Sequence, residues 1–322
     1  MCDQESRSLL STGCRLAIAV LVSTLVANFA PANSPQTAGV LAPGVISGAG
    51  SNFAPAFASD SSYVLFTRKA DTFSILVSHR QGSTWSAPVA APFSGRWNDL
   101  EAAISPDGSY VIFASDRPVP GSLKALRSPY GDKTLSGGNL WRVQIQGAVW
   151  TEPERLPATI NDGESIWTPS IAANGNLYFM KPDRSTARFR LHVASNAGGA
   201  YQSPIELAFS TGAFNDVDPM IDSKERWVIF SSDRAAPGPA SHPGPERLFI
   251  AFDPRGPAPI VCPLSIPGWE DRTLSQIEAR LSPDEETLYF ASSRGRSQIW
   301  NVKLLPQLWQ SSSDDQCRHA GI

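Results

Sequence analysis

The sequence lacks an excess of either charge and lacks the short motifs of several enzyme classes. Its 27 Lys and Arg residues stand against 30 Asp and Glu residues, a formal net charge of −3. A nucleic-acid partner is therefore excluded, because it calls for a clear basic surplus. No Gly-x-Ser-x-Gly, His-Glu-x-x-His, Cys-x-x-Cys or phosphate-binding loop occurs, which leaves serine hydrolase, zinc protease, zinc ribbon and P-loop chemistry unsupported. The sequence thus assigns no catalytic residue, no metal ligand and no cofactor.

Long apolar runs are scarce, and the notable one is N-terminal. Leu16–Ala27 is a run of twelve residues preceded by Arg7 and Arg15, whereas a membrane span needs about 20. Ala30–Ala32 supplies a small-x-small cleavage triplet. We predict a signal peptide at residues 1–32, with an uncleaved anchor as the alternative. The mature protein is then periplasmic or secreted, without a stable membrane span.

Cysteine is rare, and its placement agrees with export. Cys2 and Cys14 leave with the signal peptide, so Cys262 and Cys317 remain. In an oxidising compartment these two can form a disulfide that ties the C-terminal segment to the body. The alternative is a buried thiol and a second thiol in a polar C-terminal tail, residues 311–322.

Turn-forming and aromatic residues are abundant by contrast. The chain has 24 Gly, 27 Pro and 9% aromatic residues, and 42% of its residues are hydrophobic. This composition favours an all-β protein and excludes disorder or a coiled coil for most of the chain.

One sequence unit recurs five times. Ala102–Arg117 sets its pattern, which is Ser-Pro-Asp-Gly at a turn, then an apolar strand that ends in Phe, then Ser-Asp-Arg. The other copies depart from this pattern in part, and Pro55–Phe66 departs most. The copies are Pro55–Phe66, Ala102–Arg117, Pro169–Arg184, Pro219–Arg234 and Ala279–Arg294. Their anchoring Phe residues are 47, 66, 51 and 60 residues apart. Repeats of about 40 to 50 residues made of short strands indicate the blades of a β-propeller.

Each unit predicts four strands, and the chain ends predict how the ring closes. Val40–Ser47 is typical of a fourth strand without a blade of its own, while the last unit shows three strands. Pairing the two would hide two sheet edges. We therefore predict one all-β domain at residues 33–310, a monomeric propeller of five four-stranded blades closed by an N-terminal strand. A divergent sixth blade is the alternative.

The repeat resembles a known family. The Ser105–Gly108 turn, the Ser115–Arg117 triplet and the Ile299–Trp300 pair are similar to the TolB-type, WD40-like β-propeller repeat of bacterial periplasmic proteins. The resemblance spans about residues 40–304. It implies an exported propeller whose channel face captures a polypeptide segment of a partner. TolB itself has an additional N-terminal α/β domain, which this chain lacks, and six blades.

The recurring Asp-Arg pairs are interpreted as architecture, because a functional site would be unique to one unit. An aspartate after the second strand can accept backbone N–H groups of a turn. The pairs are Asp116 with Arg117, Asp183 with Arg184, and Asp233 with Arg234. Among the histidines, His192 is predicted to be an exposed strand residue.

The best candidates for a binding site are acidic residues that precede the first strands. Alignment on the Phe anchors places Glu101, Asp218 and Glu278 at one equivalent position. Asp99 and Asp216 share a second one. Because first strands line a propeller channel, we expect these five carboxylates to gather near its mouth. They could bind a cation, a basic peptide or a sugar, or instead cap backbone amides.

The sequence therefore predicts an exported, non-enzymatic binding or scaffold propeller that recognises an envelope protein or peptide at its channel face. The alternative is a glycan hydrolase, which needs only two carboxyls about 5 to 9.5 Å apart. Glu278 or Glu101 would then be the acid and Asp218 the base or nucleophile.

Overall fold

The computed structural model describes residues 38–130, 133–147, 149–163, 165–183, 185–186, 188–234, 245–271, 273–292, 297–310 and 314–320. The predicted signal peptide at residues 1–32 and Arg184 of the third repeat lie outside this range. No helix of the described residues is long and apolar enough to cross a membrane.

Strands dominate the described chain. In chain order they are β1 (Gly39–Val40), β2 (Ser51–Phe57), β3 (Tyr63–Lys69), β4 (Phe73–Gln81), β5 (Thr84–Trp85), β6 (Val89–Ala90), β7 (Asp99–Ile104), β8 (Tyr110–Ser115), β9 (Arg127–Tyr130), β10 (Lys133–Ser136), β11 (Asn139–Gln146), β12 (Val149–Trp150), β13 (Glu154–Arg155), β14 (Trp167–Ile171), β15 (Leu177–Asp183), β16 (Arg188–Ala194), β17 (Asn196–Ala197), β18 (Ala200–Tyr201), β19 (Ile205–Glu206), β20 (Asp216–Ile221), β21 (Trp227–Ser232), β22 (Arg247–Phe252), β23 (Ile260–Pro263), β24 (Gln276–Leu281), β25 (Thr287–Ser292) and β26 (Gln298–Lys303). Two short helices follow, α1 (Gln307–Gln310) and α2 (Asp315–His319).

Twenty of these strands form the five predicted blades. Four blades are antiparallel sheets in chain order, namely β2-β3-β4-β6, β7-β8-β11-β13, β14-β15-β16-β19 and β20-β21-β22-β23. The fifth is β24-β25-β26-β1. Each first strand contacts the first strands of the two adjacent blades, and β2 contacts β24. The fold is therefore a closed five-bladed β-propeller with β2, β7, β14, β20 and β24 around its axis.

The N-terminal strand closes the ring, as the sequence predicts, but it is shorter than expected. Gly39 and Val40 pair with Asn301 and Trp300 of β26. The rest of the predicted strand turns away, because Ala42 takes a positive φ of 40° and a turn follows. Ile46 nevertheless stays fully buried against residues of β3 and β26. The ring is thus closed both by the backbone pairing of β1 with β26 and by the buried side chain of Ile46.

The repeated Phe residues form the core between blades. All five anchors have 0% exposure, and they are Phe66, Phe113, Phe179, Phe230 and Phe290. Each lies on the second strand of its blade, where alternate side chains point to opposite faces of the sheet. Burial of each aromatic ring removes a large apolar area from water, which explains why this position recurs in every repeat.

The C-terminal segment packs onto the fourth blade. In the described part of residues 311–322, which the sequence predicts as a polar tail, α2 forms and contacts β23. Cys317 of α2 and Cys262 of β23 are joined by a disulfide. Trp309 of α1 is fully buried and donates an indole N–H to the Ala320 carbonyl. The polar composition of the segment did not reveal this packing, because the packing depends on the buried side chains of Trp309 and Cys317.

Candidate functional site: three carboxylates in the channel

A β-bulge interrupts the first strand of every blade. At each one the register shifts by the equivalent of one extra residue, and one non-glycine residue takes a left-handed φ between 48° and 58°. These residues are Ala54, Glu101, Thr168, Asp218 and Glu278. Bulges re-aim a side chain and are typical of functional positions. The five positions that the repeat alignment makes equivalent therefore share one unusual backbone conformation.

Three of these five residues bring carboxylates together. Glu101, Asp218 and Glu278 each place an oxygen within 4.8 Å of an oxygen of the other two. Their exposed fractions are 5%, 5% and 6%. The acids therefore converge, as the sequence suggests, and all three are buried.

Hydrogen bonds connect this cluster to the bulges of neighbouring blades. The Thr67 hydroxyl oxygen accepts the Glu101 N–H at 2.9 Å, and Glu101 Oε2 accepts the Thr168 N–H at 2.7 Å. Asp218 Oδ2 accepts the Glu278 N–H at 3.2 Å, and its Oδ1 accepts the Thr168 hydroxyl at 3.3 Å. Glu101 and Asp218 thus also cap backbone amides, which is the alternative that the sequence left open. Each carboxylate oxygen has a second lone pair for another partner.

Burial and mutual repulsion make ionisation of this cluster costly. Burial, followed by the charge of Asp218, raises the pKa of Glu101 to about 7. The same causes raise the pKa of Glu278 well above its ordinary value. Burial also raises the pKa of Asp218, while the Arg280 guanidinium opposes that increase. Arg280 lies 3.7 Å from Glu278 Oε2, and one cation does not balance three carboxylates.

Asp99 and Asp216 do not join the cluster, contrary to the sequence expectation. Asp99 forms an ion pair with Arg117 at 2.6 Å, and Asp216 forms the equivalent pair with Arg234 at 2.7 Å. Each carboxylate also accepts a hydroxyl hydrogen bond from the second strand of its own blade. A buried carboxylate is stable only when paired, so these two acids bind their own arginines and add little negative field to the channel.

The Asp-Arg pairs of the second and fourth repeats serve the architecture. Asp116 accepts the backbone and side-chain N–H groups of Asn98 at 2.9 and 2.7 Å. Asp233 accepts the same two groups of Asn215 at 2.9 and 3.0 Å. In the second and fourth blades, these hydrogen bonds thus link the end of the second strand to the residue that precedes the first strand.

Two sequence interpretations do not match the structure. Asp183 does not repeat the pattern of the other Asp-Arg pairs, because it lies one position further along its strand. It accepts hydrogen bonds from Ser185 and pairs with Arg190 at 3.2 Å. His192 is 4% exposed and stacks on Phe179. Burial lowers the pKa of His192 to about 4, so it is a neutral core residue and not an exposed one.

A small cavity lies in the channel next to the carboxylates. Its volume is about 70 Å³, and its lining includes the residue two positions after each bulge residue: Ala56, Ala103, Ser170, Met220 and Arg280. The repeat comparison could have revealed Arg280, since it is the charged member of an otherwise small or uncharged set. Arg280 is 3% exposed, and its Nε and one terminal nitrogen have no hydrogen-bond partner.

Fold and channel together define a five-bladed β-propeller closed by an N-terminal strand. The sequence matches no protein-family model and no curated protein. Among solved structures, the chain is similar to a TolB-assigned protein of Agrobacterium tumefaciens, with a TM-score of 0.50 and 13% identity over 79% of this chain and 77% of that one. It is also similar to TolB of Acinetobacter baumannii, with a TM-score of 0.46 and 12% identity over 78% of this chain and 54% of that one. A GH43 endo-arabinanase of Bacillus licheniformis gives a TM-score of 0.46 and 12% identity over 81% and 97%. The fold is thus a TolB-like propeller, and these identities show the fold alone.

Proposed function

We propose that this chain is an exported, non-enzymatic propeller that binds a protein or peptide of the bacterial envelope. This proposal rests on the burial and the hydrogen bonds of the carboxylates in the channel. All three carboxylates are buried, and Glu101 and Asp218 already accept a backbone N–H group of the next blade. They act as structural elements of the ring, which leaves recognition to the outer surface.

The glycan-hydrolase alternative fits the channel poorly. Ligand sites for small molecules usually enclose about 300 to 1,000 Å³, whereas the cavity beside the carboxylates has about 70 Å³. The carboxylates of a glycosidase flank a bound sugar. Here Glu101, Asp218 and Glu278 contact one another's blades and are at most 6% exposed. A sugar ring would have no access to a pair of them.

A partner can bind more readily on the surface than in the channel, at the end of the propeller where the first strands begin. We call this the entry face and define it by Arg96, Trp97, Leu123 and Phe214. Trp97 and Phe214 precede β7 and β20 at equivalent positions, each with an arginine over its ring. Leu123 is 95% exposed in the loop that follows β8, whose end pairs with the start of β7. Aromatic and arginine side chains are enriched at the energetic centres of protein interfaces.

Export is supported by the cysteines as well as by the apolar N-terminal run. The structure pairs Cys262 with Cys317, and disulfides persist mainly in oxidising compartments. An exported propeller with an aromatic entry face fits the role that the TolB-type resemblance implies.

Site-specific photo-crosslinking in the periplasm of a Gram-negative host tests this function. A benzophenone amino acid replaces Trp97 or Phe214 on the entry face. The matched controls carry it at Val89 or Ile205, which are 59% and 58% exposed on outer strands. We expect discrete adducts only from the entry face. Adducts from the outer strands alone, or hydrolysis of a glycan panel by the native protein, would refute the proposal.

A further inference from the structure

We propose that Glu101, Asp218 and Glu278, together with the Ser231 hydroxyl, form a calcium site on the propeller axis. The inference concerns the interior of the ring and does not depend on the identity of the partner at the entry face.

The geometry of the three carboxylates suits a large, hard cation. Their closest oxygens all lie within 4.8 Å of one another. Oxygens bound to one Ca²⁺ ion lie at most about 4.6 to 5.2 Å apart, because Ca–O bonds measure about 2.3 to 2.6 Å, so the three oxygens can share this ion. Mg²⁺ bonds of about 2.0 to 2.1 Å would require a tighter and more regular octahedron. The carboxylates stand on β7, β20 and β24 of three different blades, and these strands cannot easily contract around the smaller ion.

Two buried oxygens at the cluster lack a hydrogen-bond partner. Glu278 Oε2 is buried and accepts no hydrogen bond. The Ser231 hydroxyl is fully buried beside Asp218 and has no hydrogen-bond partner of normal geometry. A buried polar atom without a partner destabilises the folded protein. A bound cation satisfies both oxygens at once.

The charge balance favours a cation over an anion. Three carboxylates share the buried channel with one guanidinium, that of Arg280, at 3.7 Å from Glu278 Oε2. Fully ionised, this group carries a net charge of −2. Protonation or a divalent cation can remove that charge, and Ca²⁺ removes it without loss of the carboxylate hydrogen bonds to Thr168 and Glu278. Arg280 repels the ion moderately and thereby limits its affinity.

The first test uses the mature protein, freed of metal with a chelator and titrated with CaCl₂ by calorimetry. We expect one bound ion per chain. Free Ca²⁺ about 100-fold above its dissociation constant should raise the unfolding temperature by about 5 °C, with a smaller increase for MgCl₂. Absence of heat and of a thermal shift at about 10 mM Ca²⁺, well above the weakest constants of protein sites, would overturn the proposal. An equal response to MgCl₂ would overturn the assignment to calcium.

Two substitutions with opposite expected effects on the affinity for Ca²⁺ make the test specific to this site. Asp218→Asn preserves shape and should weaken Ca²⁺ binding at least about tenfold, because it removes a charge from the site. Arg280→Gln should strengthen it by about tenfold, because it removes a repulsive charge. The matched control is Glu152→Gln, which changes an exposed acid. Equal affinity for Ca²⁺ in all variants would show that the ion binds elsewhere on the surface and would refute the site. If Asp218→Asn does not fold, Arg280→Gln alone still tests the site.

Discussion

The Glu101 carboxyl should make the metal-free protein less stable as the pH rises. Burial and the charge of Asp218 raise the pKa of Glu101 from 4.5 to about 7 in the folded state. Between these pH values the folded chain keeps a proton that the unfolded chain releases. The free energy of unfolding therefore falls as the pH increases from about 4.5 to about 7, and this loss is complete above pH 7.

The size of the effect follows from the two pKa values. A difference between 4.5 and about 7 corresponds to about 3 kcal/mol. Glu101→Gln removes the ionisable group, and the amide oxygen can still accept the Thr168 N–H. The variant should match the native protein near pH 4.5 and exceed its free energy of unfolding by up to about 3 kcal/mol at pH 8.

Urea denaturation at several pH values in the presence of a chelator measures this difference. The control is Glu152→Gln, an exposed acid whose replacement should leave the pH dependence unchanged. The reasoning is refuted if Glu101→Gln and the native protein differ by the same amount at every pH. Such a result would mean that Glu101 is not held in a low-dielectric, negatively charged surrounding.

Three further predictions address closure, the disulfide and export. Ile46→Ala should lower the free energy of unfolding by about 2 to 5 kcal/mol, because Ile46 is fully buried at the closing blade. The control Val89→Ala, at an exposed position, should change it by less than about 0.5 kcal/mol. Equal effects of the two substitutions in urea denaturation would contradict this prediction. Replacing Cys262 and Cys317 by Ser opens a loop of 55 residues and should cost up to about 4 kcal/mol, and an unchanged unfolding midpoint would argue against the bond. Secreted protein should begin near Asn33, and an intact Met1 found by N-terminal sequencing would rule out cleavage.

The repeat alone determined the fold and the equivalence of the acids. Five copies with a buried Phe that follows a polar turn are recognisable in the sequence, because every blade packs against its neighbours in the same way. For the same reason, alignment on Phe113, Phe230 and Phe290 placed Glu101, Asp218 and Glu278 at one position. Closure by an N-terminal strand was also predictable, since an open array would expose two sheet edges.

Tertiary structure alone decided what each acid does. Asp99 and Glu101 are two residues apart and look alike in sequence, yet Asp99 meets Arg117 while Glu101 points toward carboxylates of other blades. The difference comes from the bulge, which gives Glu101 a positive φ of 58° and turns its side chain into the channel. Sequence patterns do not record such a rotation, nor the distance across the ring between residues 101 and 278. The depth of burial, and with it the pKa of Glu101, depends on how five separate strands close around one axis.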